Sequence, residues 1–423
     1  VIPPGPPEVT HQPTLLLNRL RRPRRPRTDG LSKEPEVPCG EVDTNPTSSF
    51  SKPPEVTYNL KDPRALARFL QDADIRLVRA EYFFKLLKEE RPLKRRQEAE
   101  QKREMCEPDE RRLRSALVSH EEVRDWARGR KPALIFSISH AWETREHPDP
   151  CRFQLQQIWN AVGLYKAAYH ADIWVFYDFM SLFQFKRETQ EQEESFRRSM
   201  CDMHVMYAHE FTRTLRIQGL TPEDAWNRIL KSKEGLPVFH EGSGKVKELP
   251  LQDLVPNRTA YEARGWCKAE VEWSSARSDS SKHQRIDQSE QSHPEGGRVP
   301  MSPDLFKEQM AEAEFTHRSD ANSVIELQRK IFHEKVSVCE ELTLSHLPAG
   351  QILMLVAALE HYTCLKVLRI HGFTCSEKDA EAFGKALAGN RTLTELHFTY
   401  GFGDVPAEMG MASLCRALAT ALE

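Results

Sequence analysis

The stretch that decides the fold is Ala133-Leu134-Ile135-Phe136-Ser137-Ile138-Ser139, which follows the breaking pair Lys131-Pro132. A short, mainly apolar run behind a breaker is typical of a strand buried on both faces of a parallel sheet. A second run of this kind, Ile173-Trp174-Val175-Phe176-Tyr177, is followed by Asp178. The two runs therefore predict two buried strands of one parallel sheet.

Helices are predicted between and after these strands. Behind the first strand, apolar residues recur at helical spacing, namely at Phe153, Leu155, Ile158, Val162 and Tyr165. Residues 195–208 predict another helix, and the alternation over residues 211–217 predicts a third strand. This order is that of an α/β fold with right-handed crossovers. We assign residues 130–336 to this domain, and the polar composition of residues 275–300 predicts a mobile insertion within it.

The segments before the α/β domain differ from it in composition. At 423 residues the chain exceeds one ordinary core, so two or three domains are expected. Residues 1–57 are rich in proline and arginine and predict a disordered arm. Its basic block from Arg19 to Arg27 is either a solvated tail or a binding or targeting signal. Apolar residues at helical spacing from Leu66 to Leu87 predict a helical extension over residues 58–129.

The C-terminal segment, residues 337–423, repeats itself. Cys339–Leu344 aligns with Leu365–Ile370 at an offset of 26 residues (365 minus 339), and that run aligns with Leu393–Phe398 at 28 residues (393 minus 365). Each run predicts a strand preceded by a helix, and such a unit buries its apolar face only by stacking on its neighbours. The segment resembles leucine-rich repeats of the ribonuclease-inhibitor type, which implies a surface for a protein partner.

Composition excludes several classes of function. The net charge of -3 gives no general attraction to nucleic acid or to membranes, so neither is expected as a partner. The longest apolar run, residues 352–359, is far shorter than the roughly 18 residues that span a bilayer. Nine cysteines without a CxxC pair predict reduced thiols and a cytoplasmic protein. The histidines do not cluster at metal-ligand spacing, so we expect no metal site and no resident cofactor.

Four short motifs occur in fixed order in the α/β segment. They are Ser139-His140-Ala141-Trp142, Asp178-x-x-Ser181-Leu182-x-Gln184, Met203-x-x-Met206-Tyr207-Ala208 and Arg264-Gly265-Trp266-Cys267-Lys268-Ala269-Glu270. Their order resembles the heterokaryon-incompatibility (HET) domain, a relative of the Toll/interleukin-1 receptor (TIR) domain. The resemblance covers about residues 130–335. It implies a flavodoxin-like parallel sheet, self-association and, for many TIR relatives, cleavage of the nicotinamide glycosidic bond of NAD.

The resemblance implies that Glu270 is the catalytic residue, because it matches the glutamate after Trp-Cys in plant TIR domains. The chemistry is consistent, since nicotinamide leaves a pyridinium as a neutral ring and needs no general acid. A carboxylate near the ribose carbon can stabilise the oxocarbenium-like transition state. Asp178 is a candidate to hold a ribose hydroxyl. The other candidate substrate-binding residues are Ser139, His140, Trp142 and Trp266.

Each candidate residue also has an ordinary structural interpretation. Glu270 can pair with Lys268 or Arg264, Asp178 can cap a turn, and the two tryptophans can anchor the core. The resemblances imply a signalling or innate-immunity-like protein, and two functional hypotheses stay open. It is an NAD hydrolase activated by self-association, with NAD as substrate, or a non-catalytic adaptor that only binds proteins.

Overall fold

The computed structural model describes most of the chain after the arm. The described residues are 57–101, 104–106, 114–232, 234–288, 296–315, 320–373 and 376–399, with 416 and 419. The predicted arm, apart from Thr57, and its basic block lie outside these residues. The observed architecture is mixed α/β, and parallel pairs dominate its main sheet.

The first folded segment is mainly helical in its described residues. Its elements are α1 (Pro63–Asp72), β1 (Val78–Arg79), α2 (Ala80–Lys88), α3 (Arg96–Gln101), β2 (Met105–Cys106), β3 (Arg114–Ser115) and α4 (His120–Ala127). Helix α1 begins where Asp62 accepts a hydrogen bond from the Arg64 amide, with Pro63 in its first turn. Helix α4 begins at a capping box formed by Ser119 and Glu122.

The next elements alternate between strand and helix. They are β4 (Ala133–His140), α5 (Phe153–Ala168), β5 (Asp172–Phe176), α6 (Asp178–Ser181), α7 (Gln190–Cys201), α8 (His204–Ala208) and β6 (Thr212–Ile217). A helix and an antiparallel hairpin follow, α9 (Glu223–Ser232), β7 (Gly235–His240) and β8 (Lys245–Pro250). The segment then continues with α10 (Gly265–Ser275), β9 (His283–Arg285), α11 (Pro303–Ala311) and α12 (Asp320–Val336).

The main sheet has the strand order β1-β5-β4-β6-β9. Strands β5, β4, β6 and β9 are parallel, whereas β1 of the helical segment adds an antiparallel edge. The three strands predicted from the sequence agree with β4, β5 and β6. Strand β9 was missed because it lies in the polar stretch 275–300, where a mobile insertion is predicted. Among the described residues of that stretch, Arg277, Ser280 and His283 are buried.

Alternate residues of the central strands face two different cores, because successive side chains of a strand point to opposite faces. Ile135 and Trp174 face a core shared with α1, α8, α10 and α12. Phe136, Ile138 and Val175 face a second core shared with α2 and α5. Each of these side chains is at most 1% exposed. A fully buried side chain of this size contributes roughly 2 kcal/mol, so helices on both faces hold the sheet in place.

The C-terminal segment forms a separate parallel sheet. Its described elements are β10 (Glu341–Leu347), α13 (Gln351–Leu359), β11 (Val367–Phe373), α14 (Glu377–Gly389) and β12 (Glu395–Thr399). Leu342 pairs with Leu368, and Leu368 pairs with Leu396. This register equals the sequence offsets of 26 and 28 residues (368 minus 342, 396 minus 368). The sheet adjoins the α/β segment, since the Thr343 amide donates to the Ser278 carbonyl at 2.9 Å.

Within the ranges that the structure describes, no helix combines the length and the apolar character needed to cross a membrane.

Candidate active site

Ser139 and His140, the last two residues of β4, have side chains on opposite faces of the sheet. Each belongs to a separate group of hydrogen-bonded residues. Ser139 faces α10, where its hydroxyl meets Glu270 and Tyr261. His140 faces the other core, where its ring meets Asp178 and Tyr177. The predicted candidates Ser139, His140, Asp178 and Glu270 are thus gathered at the end of one strand.

Glu270 is held by a short chain of hydroxyl groups. The Ser139 hydroxyl donates to Glu270 Oε2 at 2.5 Å, and the Ser139 and Tyr261 hydroxyl oxygens are also 2.5 Å apart. Ser139 is fully buried and Tyr261 is 2% exposed, whereas Glu270 is only partly buried. Tyr207 donates to the Ile138 carbonyl at 3.2 Å beside the same carboxylate. Glu270 as a residue is therefore partly exposed, while its carboxyl group is desolvated by the groups packed around it.

Burial determines the charge of Glu270. Removal from water raises the pKa of this carboxyl to about 7, although the hydrogen bond from Ser139 and the charge of His140 favour ionisation. The nearby Asp178 carboxylate adds to the increase. Glu270 consequently changes its charge near neutral pH, which is unusual for a glutamate and common at catalytic sites.

Asp178 belongs to the second group and is held ionised. Its Oδ1 lies 3.0 Å from His140 Nε2, and its Oδ2 accepts from Trp142 Nε1 at 2.9 Å. Burial opposes the charge of Asp178, but His140, Trp142 and the Phe179 amide outweigh it and lower the pKa of this carboxyl. The pKa of His140 is raised because Asp178 outweighs the effect of burial. Two carboxyl groups with pKa values displaced in opposite directions are typical of acid–base assignments in enzymes.

The fourth motif closes the loop that follows β4. Arg264 Nη1 donates to the Trp142 carbonyl at 2.7 Å, and the Cys267 thiol donates to the His140 carbonyl at 3.4 Å. These contacts join the first and fourth motifs, which are more than a hundred residues apart in the sequence. They explain why an arginine and a cysteine accompany Glu270.

Trp266 takes its hydrogen bond elsewhere. Its indole donates to Asp320 at the start of α12 at 3.2 Å, and its ring meets Trp273 edge-on at 6.2 Å. These contacts belong to the core between α10 and α12, so its predicted role in substrate binding stays a prediction. Tyr261 was missed from the sequence, although it lies three residues before the Arg264 motif. Tyr207 lies inside the third motif, and that motif is the sequence feature that could have identified it as a residue of the site.

The site lies where the connections of the main sheet change direction. From β4 the chain passes to β5 on one side, and from β5 it passes to β6 on the other side. The carboxyl ends of β4 and β6 meet there, with Ser139 opposite Arg216 and His140 opposite Ile217. Crevices at such points are the usual ligand sites of open α/β sheets. A cavity of about 660 Å³ opens at the opposite end of the sheet, where β4 and β6 begin, and is therefore a different site.

Comparison with known proteins gives no relative: no protein-family model, curated protein or solved structure matches this chain. In the described part of the chain, no three His, Cys, Asp or Glu residues are grouped so as to hold a metal ion.

Gly265 allows α10 to begin close to the segment before α12. A Cβ atom at this position would lie 2.0 Å from a ring carbon of Phe315, and the Gly265 amide donates to the Glu314 carbonyl at 2.8 Å. We expect Gly265→Ala to lower the free energy of unfolding by about 2 kcal/mol, because the added methyl group overpacks this contact. Denaturant unfolding measures the change.

Gly163 provides the matched control for that substitution. It lies inside α5, and a Cβ atom there has no neighbour within 4 Å. Gly163→Ala should raise the free energy of unfolding by about 0.5 to 1 kcal/mol, because alanine favours the helix. Equal effects of the two substitutions would contradict the close packing at Gly265.

Proposed function

We propose that this chain hydrolyses the bond between nicotinamide and ribose in NAD, with Glu270 as the catalytic carboxylate. One observation carries the proposal. Glu270 meets Ser139 at the carboxyl edge of the main sheet, beside the Asp178–His140 pair. We further propose that self-association activates this reaction in a signalling or defence-type protein.

The strand order supports the fold that this function requires. In chain order the parallel strands β4, β5, β6 and β9 occupy the spatial order 2-1-3-4. This is the order of flavodoxin-like sheets, which bind their ligand between the first and third strands. The stacked strands β10, β11 and β12 support the proposal of leucine-rich repeats that bind a protein partner.

The reaction needs little acid–base chemistry. The bond between the ribose carbon and the nicotinamide nitrogen breaks, and its electron pair returns to the pyridinium ring, which leaves neutral. The oxygen of a water molecule then bonds to the ribose carbon, and a proton is released to the solvent. The ionised Glu270 carboxylate stabilises the positive charge that develops on the ribose in the transition state.

The neighbouring residues have distinct roles in this scheme. Asp178, held ionised by His140 and Trp142, accepts a hydrogen bond from a ribose hydroxyl. The side chain of Asp178 is 33% exposed, so a ligand can reach it from solvent. Ser139 orients Glu270 and stabilises its ionised form through the 2.5 Å hydrogen bond.

The pH dependence of the reaction tests this assignment. Since only ionised Glu270 is active, kcat/KM for nicotinamide release should rise with pH and level off above a pKa of about 7. Ser139→Ala removes a hydrogen bond that favours ionisation, so we expect the midpoint to move upward by about one pH unit. A profile that is flat across the neutral range, or the same for both proteins, would contradict the role of Glu270.

Two exposed apolar side chains on α5 favour a second candidate function. Trp159 is 43% exposed and Leu164 is 74% exposed on this helix. Contiguous exposed apolar patches commonly mark surfaces that bind proteins, and these two side chains would each anchor part of such a surface. A non-catalytic adaptor would use these side chains and the C-terminal sheet, and it would release no nicotinamide from NAD.

A further inference from the structure

The cavity of about 660 Å³ lies at the end of the main sheet opposite to Glu270, where β4 and β6 begin. Its walls come from the first residues of β4 and β6, the last turn of α12 and the residues that lead into β10. It therefore lies between the main sheet and the C-terminal sheet. Small-molecule sites are commonly cavities of about 300 to 1,000 Å³ and favour such junctions.

Positive charge exceeds negative charge inside this cavity. Glu210 is the acidic group of its interior, and both Lys335 and Lys282 bind it. Burial alone would raise the pKa of Glu210, but the two lysines lower it to about 2, so this carboxylate is ionised. Lys61 lines the same cavity and forms no ion pair with a described residue. The cavity is thus lined by three ammonium groups, of which two share the Glu210 carboxylate.

The remaining charged groups around the cavity do not reverse this excess. Glu340 and Glu341 lie at its rim, but they pair with Lys366 at 3.0 Å and with Arg369 at 2.9 Å. Arg277 is fully buried nearby, where its Nη2 donates to Thr212 Oγ1 at 2.9 Å. Burial lowers the pKa of Arg277 to about 9, so it remains positive at neutral pH.

Two aromatic rings form another part of the cavity wall. Trp126 and Phe211 both line it and meet edge-to-face with 6.3 Å between ring centroids. Phe211 keeps 43% of its surface exposed, although an aromatic ring of this size is normally buried. An exposed ring and ammonium groups that line one cavity suit a ligand that combines a flat ring with an anionic group.

We propose that this cavity binds a nucleotide, with its phosphate groups on Lys61, Lys282 and Lys335 and its base against Phe211. Lysine ammonium groups bind phosphate as point charges, and aromatic side chains stack on any base. The bound nucleotide lies at the start of β6 and β9 and at the end of α12, at the end of the main sheet opposite to Glu270. It is therefore a second ligand, separate from the NAD that we propose as substrate.

Calorimetric titration of the full chain with ADP at low salt tests the proposal. We expect saturable binding, with a Kd that rises at least about tenfold in Lys61→Gln and in Phe211→Ala. Lys245→Gln on the exposed strand β8 and Phe185→Ala, which removes another exposed ring, are matched controls and should leave the Kd unchanged. Thermal unfolding of each variant shows that it is folded.

Two probes test the phosphate and base positions of the proposed site separately. Pyrophosphate and adenosine should each bind at least about tenfold more weakly than ADP, because each offers only one half. No saturable binding of ADP by the full chain would overturn the proposal. So would binding that both Lys61→Gln and Phe211→Ala leave unchanged, since the nucleotide would then occupy another site, such as the one at Glu270.

Discussion

Glu270→Gln should lower the rate of nicotinamide release from NAD by about a thousandfold, which corresponds to about 4 kcal/mol of lost transition-state stabilisation. Glutamine keeps the shape of the side chain and can still accept the hydrogen bond from Ser139. What it removes is the negative charge opposite the developing ribose cation, and that charge is the whole contribution of the residue in our scheme. Quantification of free nicotinamide under single-turnover conditions measures the loss.

Glu262→Gln is the matched control for this substitution. Glu262 lies in the same segment, eight residues earlier, but its side chain is exposed. We expect it to retain the wild-type rate. If Glu270→Gln and Glu262→Gln released nicotinamide equally fast, the catalysis would belong to another group.

Asp149→Asn should make the protein more stable at about pH 8, by roughly 3 kcal/mol. Asp149 is fully buried, its Oδ2 accepts from the Leu155 amide at 2.8 Å, and its Oδ1 has no hydrogen-bond partner among the described residues. Burial raises the pKa of this carboxyl from 3.8 to about 7. An increase of three pKa units means that ionised Asp149 destabilises the fold by roughly 4 kcal/mol. Asparagine removes this cost, but its buried, unpartnered amide group takes back about 1 kcal/mol of the gain.

The sign of this effect follows from the raised pKa of Asp149. The fold favours the protonated form of Asp149. Its contribution to the free energy of unfolding is therefore complete below about pH 4 and is lost as the pH rises through about 7. The difference between wild type and Asp149→Asn should therefore grow from about pH 5 to about pH 8 in urea unfolding. Asp224→Asn, whose side chain is 79% exposed, should match the wild type throughout. A constant difference across this range would contradict a buried, titrating Asp149.

The central strands could be predicted because their burial on both faces requires a nearly continuous apolar run. This holds for β4 and β5, whereas β6 was predicted from the alternation over residues 211–217. The C-terminal register followed from the recurrence of leucine at Leu342, Leu368 and Leu396. Strand β9 could not be predicted from the sequence. It is three residues long, and its sequence His283-Gln284-Arg285 has no apolar side chain.

The candidate site was predictable only in part. Strand ends could be located, so Ser139, His140 and Asp178 were placed at one edge of the sheet. The short contact between Ser139 and Glu270 joins residues 131 positions apart, and only the packing of α10 on β4 creates it. The contact of the Tyr261 hydroxyl group with Ser139 and the raised pKa of Glu270 also depend on that packing. Neither can be predicted from the spacing of residues in the sequence.

The most direct test of the account is nicotinamide release from NAD by the purified full chain, measured free in solution and while concentrated on beads. We predict that nicotinamide accumulates to amounts greater than the amount of protein, and that it does so faster when the chains are clustered. No release under any degree of clustering would contradict the account and leave the adaptor as the function.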